Sequence, residues 1–116
     1  QKNIRTSLFI DANIRDIYLS KKLDVNCIEI HTGKLANLVK SGKNFKKELD
    51  KIKKCSIYAF NIGLEVHAGH GLDYKSTKLL SKITEIKEFN IGHFIIGESI
   101  FFGISTVIKK FKKIIK

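Results

Sequence analysis

Four times along the chain a short, β-branched apolar run gives way to a segment whose apolar residues recur at helical spacing, and this alternation constrains the fold more than any other feature. Residues 5–11 form the first run, and Ile14, Ile17 and Tyr18 follow behind Asn13, a candidate N-cap. Residues 26–31 alternate as a strand and end at Thr32-Gly33, beyond which the polar composition predicts a long loop through Gly42. Phe45, Leu49, Ile52, Ser56 and Ala59 then share one face of a long helix whose other face carries Lys46, Lys47, Asp50, Lys53 and Lys54. Residues 64–67 give a third strand closed by Ala68-Gly69-His70-Gly71, and Asp73 is placed to cap a helix through Leu79, Leu80 and Ile83. Residues 88–91 give the fourth strand, and Gly97 is expected to break the segment after it. Ile100, Ile104, Val107, Ile108, Phe111, Ile114 and Ile115 then predict one closing amphipathic helix that packs on the sheet with its lysines outward.

Strands alternating with helices at this spacing imply a parallel sheet with right-handed crossovers. Two architectures satisfy that requirement: an open doubly wound sheet complete in 116 residues, or a (β/α)8 barrel, of which four units are half, since full barrels run to about 250 residues. The strand faces favour the barrel. A doubly wound strand is covered on both sides and reads as a continuous apolar run, whereas here Glu29 and His31 share one face and Ile28 and Ile30 the other, Glu65 and His67 repeat the split, and Asn90 opposes Phe89 and Ile91. The expected fold is therefore α/β, with residues 1–116 the C-terminal half of a single TIM-barrel domain, strands five to eight. Glu29-Ile30-His31-Thr32-Gly33 recurs 36 residues later as Glu65-Val66-His67-Ala68-Gly69, about one unit apart. The chain starts at Gln1 and has no Met; with four units counted, the expectation is a missing amino half and not a cleaved secretory leader.

At 43% hydrophobic and 28% charged residues, the chain reads as a globular domain and not as a disordered segment. Ile91 to Ile108 is the stretch nearest to a membrane span, and His93, Glu98 and three glycines interrupt it. Cys27 and Cys55 are too few for a disulfide framework and are expected to be buried thiols of a cytoplasmic protein. The net charge of +11 favours anionic partners. Only Arg5 and Arg15 are arginines, which argues against base-specific reading of nucleic acid.

The residues with chemistry in them fall at the carboxyl ends of the strands, the edge where α/β folds bind ligands. Glu29, a carboxylate between two isoleucines, suits acid–base work or electrostatic stabilisation. His70, between two glycines, suits proton transfer near neutral pH. Gly71, Gly92 and His93 follow the third and fourth strands, where unhindered backbone N–H groups can converge on a phosphate. His31 and His67 lack the spacing of a metal-binding motif, and no metal site is expected.

Residues 7–12, 28–33, 68–72 and 90–97 together resemble the bacterial pyridoxine 5'-phosphate synthase family in order and approximate spacing, over essentially the whole chain and over the carboxyl half of that enzyme. The resemblance implies a (β/α)8 barrel that condenses 3-amino-2-oxopropyl phosphate with 1-deoxy-D-xylulose 5-phosphate into pyridoxine 5'-phosphate, releasing phosphate and water, with no redox cofactor or metal. By motif it makes Glu29 the carboxylate that stabilises transition-state charge, His70 the proton donor in water addition and loss, and Gly71, Gly92 and His93 part of the amino-ketone phosphate site. It also implies a homo-oligomer, an octamer in the family, with small phosphorylated substrates as partners and neither nucleic acid nor membrane. Position 67 is His where family members often carry Asn, so different hydrogen bonds are expected near His70. The family's other catalytic His and Glu belong to the amino half. The rival from another class is a non-enzymatic α/β domain that binds a phosphorylated ligand or RNA through its lysines.

Overall fold

The computed structural model describes residues 2–116. Its elements run β1 (Ser7–Ile10), α1 (Ile14–Lys22), β2 (Cys27–His31), α2 (Gly33–Lys40), α3 (Lys46–Asn61), β3 (Glu65–Gly69), α4 (Tyr74–Leu80), β4 (Ile86–Asn90), α5 (His93–Phe102) and α6 (Ile104–Ile115). The four strands pair in parallel, in the order β1-β2-β3-β4. A doubly wound sheet needs a reversal of strand order to place helices on both faces, and this sheet has none. With every crossover right-handed, successive steps in one direction put all the connecting helices on one side. Extents of 44 × 39 × 21 Å fit such a slab, one sheet thick and one helix layer deep.

The core lies between those two layers. Ile28, Ile30, Val66, Ala68 and Ile86 from the strands meet Ile17, Leu35, Ile52, Ala59 and Leu80 from the helices, all buried. Each large aliphatic side chain removed from water there contributes about 1.5–3 kcal/mol. Ser7, Phe9, Glu29, His31, Glu65, His67, Glu88 and Asn90 line the opposite face. Phe9, Glu88 and Asn90 are exposed on this inner face, the one turned away from the helices.

Several boundaries depart from expectation. The loop predicted after Gly33 is the helix α2, with Leu35, Ala36 and Val39 turned to the core; two lysines and an asparagine among eight residues disguise the stripe. β3 reaches Gly69, and β4 begins at Ile86. Gly97 continues a helix, since glycine inside one costs only about 1 kcal/mol relative to alanine. The break falls at Gly103, whose φ of 76° is open to glycine, so the single closing helix is two. α6 packs on its helical neighbours: Phe111 meets Tyr74 and Phe94, and Lys110 lies 3.9 Å above the Tyr74 ring. Asn13 caps α1 and Asp73 caps α4 as the sequence predicts. The 36-residue repeat is out of step with the pairing, because Glu29 lies beside His67 and His31 beside Gly69.

Candidate functional site

The inner face divides by depth. At the amino ends of the strands, Arg5 donates to Glu65 at 2.9 Å and to Cys27 Sγ at 3.0 Å, while His67 Nε2 donates to Glu65 Oε1 at 2.8 Å. Cys27, Glu65 and His67 offer donor atoms within 4.8 Å of one another, a set of types that zinc accepts. A guanidinium already occupies that position and supplies the positive charge, so the cluster is satisfied as an ion-pair network. The bonds of His67 serve this network, with Glu88 3.6 Å from its other ring nitrogen.

The His67 hydrogen bond, and after it the Arg5 one, holds the Glu65 carboxyl below its ordinary value of 4.5. A folded value below the unfolded one adds stability above the ordinary value and loses it as pH falls through the lower one. Glu65→Gln is therefore expected to flatten the acid limb of a stability-against-pH curve below about 4.5, measured by urea denaturation; an unchanged limb would leave the network without thermodynamic weight.

At the carboxyl ends the chemistry changes. Glu29 is half-buried, and its Oε2 accepts a hydrogen bond from Asn90 Nδ2 at 2.9 Å. His70 follows β3 with φ of 79°, a left-handed backbone uncommon for a residue with a side chain. Its ring stacks on His31 at 4.6 Å, and Phe9 lies 5.1 Å from His31. Gly33 makes the stack possible, because a Cβ there would stand 2.7 Å from the His31 ring and 2.8 Å from the His70 ring.

Buried Thr32 locks the turn. Its hydroxyl lies 2.6 Å from the Gly69 carbonyl and 2.9 Å from that of His70, and its N–H donates to the first at 2.8 Å. Thr32→Val leaves Gly69 its backbone N–H donor but takes the hydroxyl from the His70 carbonyl, and is expected to cost about 1–3 kcal/mol, read as a lower urea midpoint for the full-length protein; an unchanged midpoint would deny the clamp.

Beside this turn lies a cleft of about 430 Å³ whose lining includes His70, Gly71, Asn90, Gly92, His93 and Lys40. Two helices begin at it. The start of α4 is closed by the Asp73 carboxylate, which accepts from Ser76 N at 2.7 Å. The start of α5 has Gly92 at its cap, no side-chain hydrogen bond and open space around the missing Cβ. Unpaired N–H groups and the positive end of a helix make a seat for an anion, and of these two starts α5 offers it.

His70, Gly71, Gly92 and His93 thus meet around one cleft, and Glu29 stands apart on the inner face. Sequence reading missed Thr32, Gly33 and Lys40 as parts of the site, and it saw Asn90 only as polar. The Thr32 and Asn90 contacts join residues 37 and 61 positions apart, which no local pattern reports.

Fold and site together define the class: a parallel βα-repeat protein whose polar groups gather on one sheet face and at its carboxyl edge. The family described as "Pyridoxal phosphate biosynthesis protein PdxJ" matches residues 1–116, and the chain belongs to that family. Curated relatives called pyridoxine 5'-phosphate synthase include the protein of Pelagibacter ubique (strain HTCC1062), 60% identical over 98% of this chain and 48% of its own length. That of Sulfurihydrogenibium sp. (strain YO3AOP1) is 48% identical over 99% and 46%, and that of Ehrlichia ruminantium (strain Gardel) 41% identical over 97% and 45%. The chain spans about half the length of the relatives it matches. Among the described residues no helix is long and apolar enough to cross a membrane.

Proposed function

We propose that this chain is the carboxyl half of a pyridoxine 5'-phosphate synthase, a (β/α)8 barrel that joins 3-amino-2-oxopropyl phosphate to 1-deoxy-D-xylulose 5-phosphate and releases phosphate and water. The observation that carries the reading is the cleft at the carboxyl edge, where the uncapped start of α5 and the Gly71 and Gly92 turns adjoin His70. A phosphate ester seated at α5 is held by backbone N–H groups and the helix dipole, with His93 and Lys40 as further donors. The rest of that substrate then extends toward the sheet, where His70 gives and takes protons as water is added and lost. Glu29 keeps a negative charge on the inner wall, opposite the positive charge that develops as amine and ketone condense. The protein acts in the cytoplasm as a homo-oligomer; the free thiols Cys27 and Cys55 agree with a reducing compartment.

The test is turnover. The full-length protein is expected to form pyridoxine 5'-phosphate from the two substrates, while residues 1–116 alone give no product above background, since the family's other catalytic His and Glu belong to the amino half. Failure of the full-length protein refutes the assignment, and product from the 116-residue chain refutes the half-site reading.

A further inference from the structure

We propose that Asn90 is a positioning residue for Glu29, and that Gly69 is the gap that lets it act. The inference rests on Glu29 being the charge-stabilising carboxylate proposed above. Glu29 belongs to β2 and Asn90 to β4, strands that are not neighbours; β3 runs between them. Adjacent strands are about 4.8 Å apart, so two backbones separated by a third stand roughly 9.6 Å from each other. The two side chains nevertheless meet at 2.9 Å. They do so because the residue under the crossing, paired with Asn90 on β3, is Gly69. A Cβ at position 69 would stand 2.9 Å from Glu29 Cδ, 3.1 Å from Asn90 Cβ, and in collision with Glu29 Oε1. A residue from each of three strands therefore makes one device: an acceptor, a donor, and an empty place between them.

The choice of donor matters chemically. A lysine or arginine at position 90 would also hold the carboxylate, but its charge would cancel the field that the carboxylate is there to provide. An amide fixes the direction of the group and leaves its full negative charge. It binds one oxygen, Oε2, and among the described residues Oε1 has no hydrogen-bond partner. Asn90 also lines the cleft at the start of α5, so the bond ties the carboxylate to the wall of the phosphate seat.

The experiment is steady-state kinetics on the full-length protein. Asn90→Ala is expected to lower kcat by about 10- to 100-fold, the worth of a hydrogen bond to a charged group, with KM for both substrates within about twofold and the melting temperature unchanged. Asn90→Asp, which keeps the shape but turns the donor into a second carboxylate, is expected to lose more than the alanine variant. In a Glu29→Gln background, Asn90→Ala is expected to cost nothing further, because the bond then orients an amide with no charge to direct. A raised KM with kcat preserved would make Asn90 a ligand contact of the cleft and overturn the proposal, as would losses that multiply in the double variant. Normal turnover of the single Glu29→Gln variant would instead remove the role of Glu29 itself, and the proposal with it.

Discussion

Replacing Glu29 by Gln in the full-length protein lowers kcat by at least about 100-fold, the expected loss when a preorganised charge is taken from a developing transition state. Glutamine keeps the length of the side chain and still offers Asn90 an oxygen to bind, so the change removes charge and little else. Two readouts separate this from damage to the fold. The melting temperature stays within a degree or two, because Glu29 lies on the inner face and outside the packed layer between sheet and helices. KM for the phosphorylated substrates is expected to stay within about threefold, because Glu29 is not part of the cleft lining proposed above as a phosphate seat. Turnover near the unmodified rate would take Glu29 out of the mechanism.

The second large effect is at His70. His70→Ala is expected to lower kcat by at least about 100-fold, the usual contribution of a positioned acid–base group. The backbone there has φ of 79°, so a loss in the alanine variant could come from the turn instead of the ring. Asparagine tolerates that conformation better than most residues with a side chain, which makes His70→Asn the discriminating variant. A loss of the same size in both assigns the effect to the imidazole, and imidazole added to the alanine variant is expected to restore part of the turnover. Wild-type rates in His70→Asn would show that the turn, and not the ring, is what the reaction uses.

The sequence carried more of the edge chemistry than of the contacts that arrange it. Alternation placed Glu29 and His31 opposite Ile28 and Ile30 because a strand has a period of two residues whatever its neighbours do. Glycines on both sides of His70 marked a turn for the same local reason. What stayed hidden depends on register. Glu29 meets Asn90 because β2, β3 and β4 are aligned so that Gly69 falls beneath the crossing, and a bulge between Val66 and His67 adds Lys87 to β4 just before that point. The Glu–Glu repeat spaced 36 residues apart suggests a different alignment. Gly97 and Gly103 look alike as letters, and only the backbone conformation each must adopt tells a tolerated helix residue from a break. The α2 stripe was missed because eight residues barely exceed two helical turns.

The strictly sequential strand order bears on how such a chain comes to be folded. Ser7 pairs with Cys27, Cys27 with Glu65, and Val66 with Ile86, so each strand needs only the strand synthesised just before it. Among the described residues every backbone pairing joins strands that are consecutive in the chain. Each crossover must still be closed before its two strands can pair, the cost that makes parallel sheets slower to fold than helical bundles, but no pairing has to close more than one crossover at a time. Units can therefore be laid down in the order in which a ribosome delivers them, and the tie from Glu29 to Asn90, which needs three strands at once, closes only when the last of them has arrived.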